Sequence, residues 1–178
     1  VDPDIRAVIM TGAGDAFCSG ADLAGSGPKM HQLQSMNLIH KTIQALYSIM
    51  VPVIAKVNGV AAGAGMNMAL ACDLIVASDS ARFSEIFAKR GLSVDFGGTW
   101  ILPRLIGLHK AKELAFFADV ISADEAKEFG FVNHVVPHDE LDHFVAQWSQ
   151  RLASGPPLAL AMTKRLLTLN ATADFSTA

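Results

Sequence analysis

Apolar residues recur along this chain in two rhythms, and the switches between them mark a run of alternating strands and helices. Residues 5–10 read as a short buried strand, and residues 11–27, with five glycines in seventeen positions, as a long shaped loop. Leu33, Met36, Ile39, Ile43, Leu46 and Tyr47 recur at spacings of three and four, the stripe of an amphipathic helix over 30–50. Pro52 forces a restart as a strand over 53–57. Residues 61–71, rich in Gly, Ala and Met, predict a wholly buried helix packed closely on a neighbouring backbone. Short strands at 74–77 and 81–83 follow, and a turn-rich stretch over 84–98 opens a helix near Trp100.

Further along, residues 110–118 are helical, and Ser122-Ala123-Asp124-Glu125 is a capping box that starts a helix ended by Gly130. Residues 133–136 read as a strand; 138–153 and 157–169 read as amphipathic helices separated by Gly155-Pro156-Pro157. The alternation of strands and helices implies an α/β fold with mainly parallel strands.

Composition narrows the function classes. The 178 residues fit one domain, or one domain with an appendage. With 51% hydrophobic and 17% charged residues and a mean hydropathy of +0.34, the chain is apolar enough to suggest burial between subunits, so a homo-oligomer is expected. Net charge is −3 and the 14 Lys and Arg are scattered, which argues against nucleic acid as a partner. The most apolar stretch, 51–77, is interrupted by Lys56, Asn58, Asn67, Asp73 and three glycines, so no membrane association is expected. Two cysteines, Cys18 and Cys72, make neither a disulfide framework nor a zinc site, and a cytoplasmic setting is expected. The start at Val1 just before a strand, and the end without a helix stop signal, suggest a piece of something longer.

Two glycine-rich turns, Gly12-Ala13-Gly14 and Gly63-Ala64-Gly65, invite a dinucleotide-binding reading. Both carry a bulky residue, Phe17 or Met68, where the fingerprint needs a small one. The six histidines form no metal motif; Ser19 lacks a nucleophile elbow; Cys18 lacks a placed base. No metal is expected. The remaining candidates are two loops, Phe17-Cys18-Ser19-Gly20-Ala21-Asp22-Leu23 and Asn58-Gly59-Val60-Ala61-Ala62-Gly63-Ala64-Gly65-Met66. Alone, either is explained by tight turns and close packing.

Taken in order with Lys56-Val57-Asn58-Gly59, Ala71-Cys72-Asp73, Gly97-Gly98-Thr99 and Leu102-Pro103-Arg104-Leu105-Ile106-Gly107, these loops resemble the signature of the enoyl-CoA hydratase/isomerase (crotonase) family. The resemblance implies a crotonase-like spiral of ββα turns over residues 1–136 and part of a C-terminal helical region over 137–178, with the usual first turn and much of the last region lacking. It also implies a homotrimer or dimer of trimers, and an acyl-CoA thioester as substrate with no other cofactor. By the same resemblance, the backbone N–H groups of Ala21 and Ala64 form an oxyanion hole for a thioester enolate. Ser19, Gly20, Asp22 and Leu23 then belong to the loop that holds CoA, with Gly63 beside the hole; Ala24 stands where the family commonly has a lysine.

Family hydratases use two glutamates, whose counterparts here are Asn67 and Phe87. Asp95 falls where family isomerases place a catalytic aspartate, and its neighbours Val94 and Phe96 promise partial desolvation. The alternative for Asp95 is an N-cap of the helix near 97–106. Glu85 is expected to face solvent or an ion pair, Asn67 to belong to the substrate-binding residues, and Phe87, Gly97 and Trp100 to line the acyl pocket or the core. The expected function is double-bond migration in an enoyl-CoA by a single Asp; water addition to a 2-enoyl-CoA, with Asp95 and Glu85 replacing the glutamates, and acyl-CoA binding without turnover are the alternatives.

Overall fold

The structure, a computed structural model, describes residues 4–22 and 31–176. Strands β1 (Val8–Thr11), β3 (Val53–Val57), β5 (Leu74–Ser78) and β8 (His134–Val136) pair in that order as a fully parallel sheet. A second sheet has the order β2 (Ala16–Cys18), β4 (Val60–Ala62), β6 (Arg82–Ser84), β7 (Ile121–Ser122), and only its β6–β7 edge is antiparallel. Each pass of the chain lays one strand in each sheet and then enters a helix. The first pass is β1, β2 and α1 (Gln32–Tyr47), and the second is β3, β4 and α2 (Ala64–Leu70). In the third, β5 and β6 lead through a 3-10 turn at Ile86–Arg90 to α3 (Gly98–Ile106) and α4 (Leu108–Phe117). Helices α5 (Ala123–Phe129), α6 (Leu141–Ala153) and α7 (Pro157–Asn170) complete the described chain.

Strand periodicity decides what each face of the first sheet meets. Val53, Ala55 and Val57 point into the main core with Phe17, Ala61, Met66 and Phe83, while Ile54 and Val76 point the other way against Leu141 and Val145 of α6. Lys56 shares the α6 side of β3 and pairs there with Asp142. The start of β3 is tied down as well: Val53 N donates to Asp73 Oδ2 at 2.7 Å, and Lys164 of α7 reaches the same oxygen at 2.6 Å.

The sequence reading and the structure part company where strands are only three residues long. Residues 11–27 were expected as one loop, yet β2 lies inside them; the segment expected as a helix over 61–71 splits into β4 and α2. Small residues and glycines carry no two-residue hydrophobic rhythm, so these strands form through pairing with β6 and with each other. The capping box at Ser122 forms in full, with Ser122 N donating to Glu125 Oε2 at 2.7 Å and Glu125 N to Ser122 Oγ at 3.2 Å. Gly130 ends α5 in the left-handed region.

Asn58 fixes the first glycine-rich segment to the second. Its Oδ1 accepts from Gly12 N at 3.1 Å, and its Nδ2 donates to Gly14 O at 2.8 Å and Ala16 O at 3.3 Å. The Lys-Val-Asn-Gly sequence thus stitches the turn before β2 onto the end of β3, which sets where residues 19–22 emerge.

Candidate active site

Because β2 and β4 run side by side, the loops that follow them leave the second sheet at the same edge. A cleft of about 660 Å³ opens there, lined by Ser19, Gly20, Ala21 and Asp22 from the first loop and by Ala62, Gly63 and Ala64 from the second. Close backbone approach needs Gly65: a Cβ at that position would sit 2.0 Å from Cys18 O. The two loops meet at the mouth, where a Cβ on Gly20 would lie 3.8 Å from Ala64 N and 3.0 Å from Ala62 O. Gly63 N is taken by Ser84 O at 2.8 Å and precedes α2 as its N-cap, which leaves Ala64 as the first residue of the helix, whose N–H has no carbonyl within the helix to donate to.

The opposite wall comes from the 3-10 turn and the loop before α3: Ile86, Phe87, Arg90, Leu92 and Asp95. Asp95 sits in a tight turn in which Gly98 N donates to Asp95 O at 3.0 Å. The turn holds Phe96 at φ +50°, uncommon for an aromatic residue, and Gly97 at φ +80°. Burial of the Phe96 ring in the core keeps that conformation occupied. Partial burial also raises the pKa of the Asp95 carboxyl above its ordinary value.

Behind this wall lies a cluster of buried polar side chains. Asn67 on α2 is 0% exposed and Glu85 is 1% exposed. Asn67 Nδ2 donates to Asp95 O at 3.0 Å and reaches Glu85 Oε2 at 3.5 Å. Asn67 Oδ1, Glu85 Oε1 and Asp95 Oδ1 are buried with no donor facing them. Burial pushes the Glu85 carboxyl up to about 8, the Asn67 amide opposes this, and the Asp95 charge adds to it.

The structure gathers Ser19, Gly20, Ala21, Asp22, Gly63, Ala64, Phe87 and Asp95 around one cleft. Leu23 lies outside the described residues. One alternative and three expectations are corrected. Asp95 is not the N-cap of α3: that place is held by Gly97, two residues on, with no side-chain cap. Glu85 neither faces solvent nor joins any of the described ion pairs, because β6 runs into the core and the 3-10 turn begins only after it. Gly97 and Trp100 face a separate groove along α1, lined also by His40, Ile43 and Tyr47, where the Trp100 ring stands edge-on to Tyr47 and under the Arg104 guanidinium. The left-handed turn at 96–97 directs that start of α3 towards α1 rather than the cleft. Asn67 likewise stands behind the wall instead of lining it.

Sequence reasoning passed over Ile86, Arg90 and Leu92. Arg90 is readable in hindsight, since residues three apart in a 3-10 turn project alike and Phe87 already marks the lining position. Cys72 has its thiol pushed up to about 12, chiefly by burial. Among the described residues no group of three or more His, Cys, Asp or Glu side chains is placed to hold a metal ion.

A sequence model described as enoyl-CoA hydratase/isomerase matches residues 1–177. A probable enoyl-CoA hydratase of Rhodobacter capsulatus is 42% identical over 164 residues, covering 91% of this chain and 64% of that protein. A 1,2-epoxyphenylacetyl-CoA isomerase of Escherichia coli is 38% identical over 172 residues, 93% of this chain and 66% of its own length. The crystal structure of an enoyl-CoA hydratase from Bacillus anthracis superposes with a TM-score of 0.92 at 37% identity, over 99% of this chain and 69% of that one. The chain therefore spans about two thirds of the length of these relatives. On the extent of the match and the shared spiral of paired strands, the chain belongs to the enoyl-CoA hydratase/isomerase (crotonase) family.

Proposed function

We propose that the protein binds an enoyl-CoA thioester in the cleft between residues 19–22 and 62–64 and moves its double bond, with Asp95 as the single acid and base. The observation that carries this reading is that Asp95 lines the same cleft as Ala64, while the two positions matched to the hydratase glutamates hold Asn67 and Phe87.

In this mechanism the thioester oxygen accepts hydrogen bonds from Ala21 N–H and Ala64 N–H, which stabilise the enolate formed when a proton leaves carbon. Donors fixed in the backbone cost no reorganisation at the moment charge develops. The helical start at Ala64 adds a favourable dipole of modest size, since α2 has only seven residues. Asp95 removes the proton from one carbon and returns it to another, so atoms and charge balance without water or a second carboxylate. Its raised pKa makes it a stronger base than an ordinary aspartate. Phe87, Ile86 and Leu92 offer an apolar wall to the acyl chain, and the Arg90 guanidinium offers a cation to the phosphates of CoA. Relatives named as isomerase and as hydratase both occur, so the preference for double-bond migration rests on Asp95 and on the residues at positions 67 and 87.

The exposed apolar side chains Leu108, Phe116, Phe117 and Val120 support self-association, and a homotrimer or dimer of trimers in the cytoplasm is the proposed assembly. Among the described residues no helix is long and apolar enough to cross a membrane.

The test offers the purified protein a 3-enoyl-CoA and crotonyl-CoA and follows both by product analysis. Isomerisation of the former, lowered about 10²- to 10⁴-fold in Asp95→Asn, is expected. Rapid hydration of crotonyl-CoA that survives Asp95→Asn would favour the hydratase, and tight acyl-CoA binding with no turnover would leave a binding protein.

A further inference from the structure

The three orphaned oxygens behind the cleft carry an inference about Glu85. Asn67 Oδ1, Glu85 Oε1 and Asp95 Oδ1 are all acceptors, all buried, and all without a donor. Buried acceptors in that state are costly, and an anionic carboxylate with no cation beside it is costlier. The described ion pairs join Lys56 to Asp142, Lys89 to Asp119, Lys110 to Glu113 and Lys164 to Asp73; none reaches this cluster. One proton on Glu85 removes the buried charge and turns one of the buried acceptors into a donor.

The cluster also bears on where Asp95 sits. The turn that presents Asp95 contains Phe96 at φ +50°, and its carbonyl accepts from both Gly98 N and Asn67 Nδ2. The Asn67 amide is pinned from two sides: Glu85 Oε2 lies 3.5 Å from Nδ2, and the Gly98 backbone presses so closely that a Cβ there would meet the amide at 2.4 Å. Glu85 on the far side of Asn67 is therefore in a position to fix the amide that fixes the strained turn.

We propose that Glu85 acts as a neutral carboxylic acid that, through Asn67, positions Asp95 in the cleft. This rests on the reading of Asp95 as the acid and base. Glu85 does not line the cleft and is a positioning residue. The groups acting on it are the Asn67 amide from α2 and the Asp95 carboxylate from the loop before α3. Because its own titration is displaced to about 8, the arrangement lasts through neutral pH. Above that, a second anion beside Asp95 removes the O–H donor and repels the catalytic carboxylate.

The experiment measures kcat and KM for 3-enoyl-CoA isomerisation across pH 6 to 10 in the wild type, Glu85→Gln, Glu85→Ala and Asp95→Asn, together with infrared difference spectra of the protein for a protonated carboxyl. Wild-type kcat is expected to fall as pH rises through about 8. Glu85→Gln, which keeps a neutral donor of the same shape, should stay within about threefold of wild type at pH 7 and lose that alkaline fall. Glu85→Ala should lower kcat about tenfold or more with KM little changed. The infrared band of a neutral carboxylic acid should be present at pH 7 in the wild type and missing in Glu85→Gln. An unchanged alkaline limb in Glu85→Gln, or no such band, overturns the proposal, and this outcome stands whether or not Glu85→Ala folds. Retained isomerisation in Asp95→Asn would instead overturn the reading of Asp95, while the infrared band still decides the state of Glu85.

Discussion

The two walls of the cleft are made of different material. The wall formed by residues 19–22 and 62–64 presents backbone: its side chains are small, and what faces the cleft is set by β2 and β4 lying side by side. The wall formed by residues 86–95 presents side chains, and behind it stand Asn67 and Glu85, which no surface of the cleft reveals. A backbone wall depends on chain path, and its Gly20 and Gly63 sit at positive φ, where an added Cβ is strained; a side-chain wall depends on residue identity. Under the proposed mechanism the backbone wall would bind the oxyanion and the side-chain wall would supply the acid and base, so a change of reaction would fall on the second wall.

The largest effect expected from breaking the first wall comes from Ala64→Pro. Ala64 is the first residue of α2, where proline is well accepted because its missing N–H has no partner within the helix. The substitution therefore removes one donor to the enolate with little change in melting temperature. A fall in kcat of about 10²- to 10³-fold is expected. A melting temperature and kcat both close to wild type would show that the Ala64 amide does not serve the reaction.

The second wall answers to pH through stability. Glu85 loses its proton near 4.5 in the unfolded chain and near 8 when folded. Between those values the unfolded state binds fewer protons, so stability declines as pH rises from about 4.5 to about 8 and is level above. The loss from this one group amounts to a few kcal/mol. Urea midpoints measured from pH 5 to 9 should fall in the wild type and flatten in Glu85→Gln; parallel curves would place the proton elsewhere.

The same contrast governs how far the sequence could be read. The backbone wall was legible, because glycine-rich loops of fixed spacing after apolar strands leave a recognisable string, and Ser19 to Asp22 and Gly63 to Ala64 do converge. The strands that bring them together, β2 and β4, were not legible, since three residues of small side chains show no period. Asp95 was singled out by its match to the family isomerases and does line the cleft, but its neighbours Asn67 and Glu85 gave no sign of meeting it. Glu85 was expected at the surface because a lone glutamate ordinarily is, and nothing in the local pattern of Phe83-Ser84-Glu85-Ile86-Phe87 reports the amide waiting eighteen residues upstream. Trp100 was expected in the acyl pocket or the core, whereas it stands edge-on to Tyr47 in the groove along α1, after a left-handed turn at 96–97 that is a property of backbone dihedrals.

The smallest effect expected, and the finest probe of the comparison, is Gly98→Ala. A methyl group there would meet the Asn67 amide at 2.4 to 2.6 Å, contacts that real side chains avoid. The neighbour is a side chain, so the strain is relieved by displacing Asn67 rather than by moving backbone. Overpacking of this kind costs about 1–3 kcal/mol. Since the displaced amide also holds the Asp95 carbonyl, the variant should lose activity out of proportion to its loss of stability. Measuring kcat well below the melting transition separates the two effects. If kcat at that temperature equals the wild-type value while the melting temperature drops, Asn67 supports the core and does not set the position of Asp95.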